Sequence, residues 1–305
     1  MMRRATPTWL LFSLGGLVWG SSFFLIKLSL TALNPAQLAV ARLGFGVVAL
    51  GIIMLGTRTP FIRDWALLKH IAVVGFFLAG LPLFLFAWVG EYLPSGVMAI
   101  FNATTPLFTL IIASIFLPSD RMRITGVLGI LLGAAGLIIV VSPWQYVGTA
   151  ALQSTSWLAY ATALAATTCY AIGYTYLRKT LAAREVSPIA FTFAQISSGF
   201  VSVCVLAVPA GLFAPITFSW VALLAVATLG AIATGIAYIW NNRVVTAWGS
   251  VRASMVTYVT PVVGVLLGIT FLGEPLTWNE PLGMLVLFAG IALAQGLLTR
   301  KRALN

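Results

Sequence analysis

The chain of 305 residues is 61% hydrophobic and only 8% charged, whereas a soluble domain carries about 25% charged residues. This composition excludes a soluble protein and indicates an integral membrane protein. The net charge of +11 does not indicate a nucleic-acid partner, because its placement follows membrane topology.

Apolar runs follow one another along the chain, each close to the roughly 20 residues that cross a bilayer as a helix. Short polar or charged segments separate them and leave no room for a soluble domain. We therefore predict an all-α integral membrane protein with ten transmembrane helices, in contact with the lipid bilayer. The predicted spans are 8–28, 36–56, 66–89, 95–117, 124–142, 156–177, 188–208, 217–240, 251–272 and 281–299.

The basic residues fall almost entirely on one predicted membrane face. If the spans alternate in direction from a cytoplasmic N-terminus, 15 of the 17 Lys and Arg residues lie on the cytoplasmic side, and Lys27 and Arg42 are the exceptions. An excess of Lys and Arg marks cytoplasmic loops. The pattern predicts a multi-pass protein of the inner (plasma) membrane with both termini in the cytoplasm.

The two halves of the chain resemble each other at a spacing of about 153–155 residues. "NPAQLAVARLGFG" (34–46) aligns with "SPIAFTFAQISSG" (187–199), and Pro106, preceded by a threonine, aligns with Pro261, preceded by another. We predict two repeats, residues 1–143 and 151–305. Five helices in each half force opposite orientations, so a 5+5 inverted repeat of the kind found in transporters is expected.

Acidic residues are absent from the interior of the predicted spans. Carriers driven by protons or sodium usually keep a carboxylate at depth, so uniport or exchange is the simpler interpretation. His70, the single histidine, is interpreted as an interfacial polar residue or a gating residue, and Cys169 and Cys204 as small packing residues. These groups cannot form a catalytic or metal site, so we predict no enzyme activity, cofactor or metal.

Neutral polar and aromatic side chains recur at helical spacing in several spans. They are interpreted as lining a central cavity for a small-molecule substrate, although helix–helix hydrogen bonding would explain the same residues. The predicted substrate-binding residues are Trp19, Ser22, Phe23, Arg42, Asn102, Thr105, Tyr170, Tyr174, Gln195, Thr234, Tyr238, Thr257 and Tyr258.

Three prolines, Pro82, Pro106 and Pro261, are predicted to break helices and to contribute to gating. Proline cannot donate to the carbonyl four residues earlier, so Pro106 frees the carbonyl of Asn102 and Pro261 frees that of Thr257. Such groups are tolerated at membrane depth only inside protein or beside a water-filled cavity.

Arg42 lies about two turns into its span, where a buried arginine is costly. It could bind a substrate carboxylate or phosphate. It could equally snorkel to headgroups or pair with Glu91 or Glu274. For Lys27, closer to the end of its span, snorkelling is favoured.

The fifth and tenth spans carry repeated glycines instead of polar residues, including a G-x-x-x-G at 129–133. Glycine lets neighbouring helices approach closely. These spans are interpreted as packing braces or as the contact face of a homodimer.

The chain resembles the drug/metabolite transporter superfamily, in particular its EamA-like ten-helix members. The matching stretches are "WGSSFFLIK" (19–27), "AR" (41–42), "YLPSGVMAIFNATTPLFTLIIASIFL" (92–117) and "AWGSVRASMVTYVTPVVGVLLGITFLGEPLT" (247–277). The first half departs from the family's Gly-Glu ending, because it reads "FLPSDRM" (116–122).

The resemblance implies a cavity lined by spans 1, 3, 4, 6, 8 and 9, and alternating-access movement of small metabolites, often export. Amino acids or related compounds fit best. A sugar-phosphate or nucleotide-sugar exchanger, a drug or lipid exporter, and a membrane assembly factor remain alternatives.

Overall fold

A computed structural model describes residues 7–116, 124–142, 156–181 and 186–294. Within them the chain forms ten helices that cross the bundle, and no strand. The helices are α1 (Thr8–Ser29), α2 (Pro35–Gly56), α3 (Trp65–Val89), α4 (Ser95–Phe116), α5 (Ile124–Val141), α6 (Ser156–Leu181), α7 (Pro188–Ala207), α8 (Trp220–Trp248), α9 (Ser250–Leu272) and α10 (Asn279–Ala294).

Eight of these helices are long and apolar enough by themselves to cross a membrane. Of the other two, α10 is described over 16 residues, and α6 has 26 residues but contains several threonines and tyrosines. The prediction of an all-α membrane protein with ten helices is confirmed.

The predicted boundaries agree with the structure to a few residues in most spans. The exception is the eighth, predicted over 217–240, because α8 continues to Trp248. Asn241 and Asn242 look like a helix end in the sequence but are buried at 6% and 2% exposure, where Asn241 accepts a hydrogen bond from Tyr174 and Asn242 donates to Thr192 and Gln195. The predicted residues of the last span beyond 294, and most of "FLPSDRM", lie outside the described residues.

The contacts between helices repeat when each helix is exchanged for the one five places later. Helix α1 packs on α8 and α9, and α6 packs correspondingly on α3 and α4. Helix α2 packs on α8 as α7 packs on α3, while α2 with α7, α4 with α9, and α5 with α10 form the pairs that cross the symmetry axis. This arrangement is that of a 5+5 inverted repeat.

The same symmetry appears in the closest backbone contacts. A Cβ on Gly75 would meet the backbone of Gln195 and Gly199, and a Cβ on Gly230 would meet the backbone of Arg42 and Gly46. Glycine is needed at both places because a side chain would separate helices that touch through their main chains. These contacts join α3 to α7 and α2 to α8.

Two helices in each repeat depart from α-helical geometry near mid-length. Residues Phe76–Gly80 of α3 and Leu229–Ile236 of α8 form π-helical segments. Helix α4 is interrupted at 103–104, and α9 tightens into a 3₁₀ turn over Met255–Tyr258. Departures of this kind expose backbone carbonyls and are frequent at functional sites.

We call the end of the bundle where α2 ends and α3 begins the basic end, because it carries most of the described basic residues. The other end, where α1 ends and α2 begins, is the opposite end. The cavity described next lies between them.

Candidate functional site

A narrow cavity opens in the middle of the bundle, between helices of both repeats. The unfilled space in it, its opening included, is about 550 Å³. Helices α1, α2, α3, α4, α6, α8 and α9 contribute to its wall. The lining residues are Trp19, Ser22, Phe23, Ile26, Arg42, Leu78, Leu83, Phe86, Asn102, Thr105, Tyr170, Tyr174, Tyr238, Asn241 and Thr257.

Arg42 is the charged group of this wall. Its side chain is 3% exposed, and its Nε donates a hydrogen bond of 3.0 Å to the hydroxyl of Thr234. It also interacts electrostatically with Tyr170 and Tyr238. Within the described part of the chain, all of these partners are neutral, so the guanidinium faces the cavity with its charge unneutralised by protein.

This placement argues against two of the interpretations of Arg42, snorkelling and an ion pair with Glu274. A side chain with so little exposure does not snorkel to the headgroups. Glu274, the proposed ion-pair partner, is instead bound to the start of α4, where its carboxylate accepts hydrogen bonds of 2.8 Å from the Ser95 amide and 2.7 Å from the Ser95 hydroxyl.

Aromatic rings form much of the remaining wall. The indole of Trp19 lies edge-on to Tyr238, with ring centroids 5.5 Å apart, and Phe86 packs between Phe23 at 5.4 Å and Tyr170 at 6.2 Å. Such offset and edge-to-face pairs stabilise the rings in fixed orientations. The cavity is therefore mainly apolar, with hydroxyl groups at a few positions of its wall.

Carbonyls freed by the helix breaks are hydrogen-bonded by side chains next to the cavity. Pro82 frees the carbonyl of Leu78, and the hydroxyl of Tyr238 donates to it at 2.7 Å. In the π segment of α8, the carbonyl of Ala233 accepts the indole N–H of Trp19 at 2.8 Å. The aromatic side chains therefore serve both as cavity wall and as partners for exposed backbone.

The other two prolines, Pro106 in α4 and Pro261 in α9, each free a carbonyl in their own helix, and the two helices are related by the repeat. Pro106 frees the carbonyl of Asn102, which accepts the hydroxyl of Thr105 at 2.7 Å. Pro261 frees the carbonyl of Thr257, which accepts the hydroxyl of Thr260 at 2.7 Å. The sequence predicted freed carbonyls at these positions, but the preceding threonine satisfies each one.

Asn241 provides an unused donor on the cavity wall. Its side-chain oxygen accepts a hydrogen bond of 3.1 Å from the hydroxyl of Tyr174, while its buried Nδ2 has no partner among the described residues. A buried donor without a partner costs free energy.

Three predicted site residues lie outside the cavity wall. Gln195 is fully buried between α7 and α8, where its Oε1 accepts a hydrogen bond of 2.9 Å from Asn242. The ring of Tyr258 packs towards α10, 6.0 Å from Phe288. Thr234 does not line the cavity, but its hydroxyl accepts the hydrogen bond from Arg42 and so orients that side chain. The other ten predicted substrate-binding residues line the cavity together.

The family resemblance implied that the third span lines the cavity, but the sequence analysis named none of the side chains that α3 adds to the wall, Leu78, Leu83 and Phe86. These side chains are apolar, so a search for polar faces passes over them. The internal repeat could have indicated two of them, because Leu83 and Phe86 lie 155 residues before Tyr238 and Asn241. Symmetry places them at equivalent positions of the inverted helix.

The end of the bundle opposite the basic end is held by a carboxylate. Besides Ser95, Glu274 accepts from the amide of Gly96 and interacts electrostatically with Lys27. Anions are stabilised at helix N-termini. Gly273 adopts a φ of +65°, which turns the chain at the end of α9 so that the Glu274 carboxylate lies against Gly268. Gly268 must be glycine, because a Cβ there would collide with that carboxylate. This contact ties α9 to the start of α4.

The other titratable groups that follow are described residues outside the cavity lining. His70 shares a hydrogen bond of 2.7 Å with the hydroxyl of Tyr176 at the basic end, and both cysteines are free thiols. No group of three His, Cys, Asp or Glu side chains in the described ranges is arranged to hold a metal.

The repeated glycines of α5 and α10 face each other within the chain. A Cβ on Gly129 or Gly290 would meet the backbone of the other helix, and Gly136 and Gly283 face one another in the same way. The interpretation as packing braces agrees with these contacts. A homodimer would have to use the outer surfaces of the two helices, and it stays a prediction.

Comparison with known proteins gives consistent matches. The EamA-like transporter family model matches residues 6–142 and 157–295. A curated relative, the "Uncharacterized inner membrane transporter YedA" of Escherichia coli K12, is 29% identical over 296 residues, covering 92% of this chain and 88% of the relative.

Two further matches are more distant. The "Probable terminal-alkyne amino-acid exporter" of Streptantibioticus cattleyicolor is 28% identical over 167 residues, 53% of each chain. A solved crystal structure superposes with a TM-score of 0.68 over 96% of this chain and 98% of its own, at 20% identity, which shows the same fold. By the family match across both halves, the chain belongs to the EamA-like transporter family.

Proposed function

We propose that this protein exports small carboxylate-bearing metabolites, best represented by amino acids, across the inner membrane by alternating access. The observation that carries the proposal is Arg42, a buried cation whose partners within the described part of the chain are all neutral. A carboxylate can bind a guanidinium through two parallel hydrogen bonds. Bound substrate would supply the charge partner that the surrounding protein does not.

The rest of the wall supports an amphipathic substrate. Six aromatic side chains surround the cavity and suit an apolar portion, and the free Nδ2 of Asn241 suits an acceptor group placed away from the carboxylate. A mainly apolar pocket with a few directed polar groups is the usual form of a small-molecule site.

A single cation in the cavity lining of the described chain disfavours multiply charged anions. Sugar phosphates and nucleotide sugars would bring charge that Arg42 alone cannot neutralise, and desolvating unpaired charge is costly. Carboxylate-driven proton coupling is disfavoured on similar grounds, because the described lining contains no Asp or Glu. The amino-acid export proposed for this chain agrees with the name of its Streptantibioticus relative, a probable amino-acid exporter.

Alternating access is supported by the symmetry of the bundle. Two inverted repeats can exchange conformations about a shared midplane site. The Glu274 contact ties the opposite end together, and we propose that it opens when the substrate leaves on that side, which positive-inside topology makes the external face.

Counterflow into proteoliposomes tests the proposal. Vesicles loaded with each of the twenty L-amino acids, and with glucose 6-phosphate as a doubly charged comparison, are assayed for uptake of the labelled compound with wild type, Arg42→Gln and the exposed-site control Arg243→Gln. We expect uptake of one or more amino acids by wild type and Arg243→Gln, and its loss in Arg42→Gln. Transport of glucose 6-phosphate alone, or full activity of Arg42→Gln, would refute the proposal.

A further inference from the structure

A second, larger groove runs along the outside of the bundle at its basic end. It lies between the end of α2, the start of α3 and the first half of α7, and its unfilled space is about 900 Å³ with the open side included. Its lining is almost entirely apolar. The lining residues are Met54, Phe61, Ile62, Trp65, Leu68, Lys69, Ala72, Ala190, Phe193, Ala194, Ser197 and Ser198.

The inverted repeat shows what fills the equivalent place at the opposite end. There the segment between α7 and α8 folds onto the start of α2. Asn34 donates 2.8 Å to the carbonyl of Gly211, and Gln37 donates to those of Leu212 and Ala214. The chain itself therefore covers this side of the bundle.

At the basic end the residues that would hold such a cover are absent. In the repeat alignment Ser187 and Ala190 take the places of Asn34 and Gln37, and neither side chain can reach a loop in the same way. The connecting segment is also shorter, eight residues between α2 and α3 against twelve between α7 and α8. Its Phe61 contacts Phe193 at 5.7 Å, but the groove stays open.

The surroundings of the groove match the boundary between lipid tails and headgroups. Phe61 and Trp65 are 62% and 71% exposed, as expected for aromatic residues at a membrane interface. Lys69 lines the groove and Arg63 follows Ile62 at its rim, both exposed. The nearby carboxylate of Asp64 accepts from the first backbone amides of α3.

We propose that this groove is a binding site for an anionic phospholipid. One acyl chain lies along the apolar floor formed by α7, in the place that the chain's own loop occupies at the opposite end. The headgroup phosphate lies at the basic rim near Lys69, because basic residues at the membrane surface attract anionic lipids. The site is separate from the central cavity and does not depend on the transported substrate.

Native mass spectrometry of the detergent-purified protein tests this site. Dioleoyl phosphatidylglycerol and dioleoyl phosphatidylcholine are titrated separately, and retained lipids are counted after detergent is removed. Ala194→Leu narrows the groove and Lys69→Gln removes the rim charge. The matched controls are Ala66→Leu and Lys179→Gln, which change exposed side chains outside the groove.

For wild type and both controls, we expect one tightly retained phosphatidylglycerol, bound about fivefold more strongly than phosphatidylcholine, the effect of one lysine near an anionic lipid surface. Ala194→Leu should lose the retained lipid, and Lys69→Gln, a surface change that leaves packing intact, should weaken the preference between headgroups. Equal retention of the two lipids by wild type would overturn the proposal. So would unchanged retention in Ala194→Leu, or an unchanged preference in Lys69→Gln.

Discussion

The central cavity and the α5–α10 pair are built by the same inverted repeat but in opposite ways. In the cavity, prolines and π segments break the helices and polar side chains satisfy the carbonyls that are released. In the α5–α10 pair, regular helices touch through glycines, with backbone against backbone.

The difference separates function from support. Broken helices with buried polar groups are costly, and strain of this kind clusters at functional sites, as the proposed substrate site requires. Unbroken glycine-packed helices gain stability from close contact and offer no binding groups. Changes in the first region should alter binding and, where a carbonyl loses its donor, stability as well, whereas changes in the second should alter stability alone.

The largest difference between the effect on substrate binding and the effect on stability is expected for Arg42→Gln. Loss of a hydrogen-bonded charge contact should weaken binding of the transported amino acid by about 1.5–3 kcal/mol, roughly 10- to 150-fold. Burying an arginine at this depth is itself unfavourable, so the melting temperature in detergent should stay the same or rise. A fall in melting temperature with unchanged affinity would place Arg42 among the structural residues.

Gly290→Ala should give the reverse result. The added Cβ would meet the backbone of Gly129 and Gly133, so α10 must move away from α5. Overpacking of this kind costs about 1–3 kcal/mol, which lowers the melting temperature while the affinity of folded protein for substrate is kept. Gly56→Ala is the control, because nothing lies within 4 Å of its new Cβ. Equal melting temperatures for the two variants would show that the glycine contact is not tight.

Thr105→Val tests whether the threonine hydroxyl stabilises the carbonyl that Pro106 leaves without a backbone donor. Removing the hydroxyl leaves the carbonyl of Asn102 without a donor, at a cost of about 1–3 kcal/mol for a buried group. In the control Thr162→Val, the hydroxyl also donates to a carbonyl, that of Leu158 at 2.7 Å, but the backbone amide of residue 162 remains available to it. Melting temperatures should fall for Thr105→Val alone, and Thr105→Ser should restore stability. Equal shifts in the two valine variants would contradict this role.

The smallest effect is expected from the proton gradient. Because the described cavity lining lacks a carboxylate, amino-acid flux in liposomes should persist after an uncoupler collapses the gradient. The measurement compares initial rates with and without the uncoupler at constant internal pH. Loss of flux would show that a group outside this lining couples transport to protons.

Much of this organisation is readable from the sequence, because hydropathy defines the spans and the repeat spacing pairs Pro106 with Pro261. The cavity faces of α1, α4 and α6 follow from helical periodicity. Gln195 and Tyr258 were predicted as substrate-binding residues but do not line this cavity, since periodicity shows that a side chain is buried or polar but not which neighbour it meets.

The π segments of α3 and α8 were also beyond the sequence. They cover Phe76–Gly80 and Leu229–Ile236, and nothing in the residue pattern distinguishes such π-helical turns from α-helical ones. The end of α8 was misplaced for a related reason. Buried amides such as Asn242 are indistinguishable in sequence from those of a loop until their partners, here Thr192 and Gln195, are known.

The central claim is that Arg42 holds the carboxylate of the substrate. It is tested most directly by measuring, for wild type and Arg42→Gln, the dissociation constants of the best-transported amino acid and of its carboxamide. We expect wild type to bind the acid at least tenfold more tightly than the amide, and Arg42→Gln to bind the two alike. If Arg42→Gln kept the full preference for the acid, another residue would hold the carboxylate and the claim would be wrong.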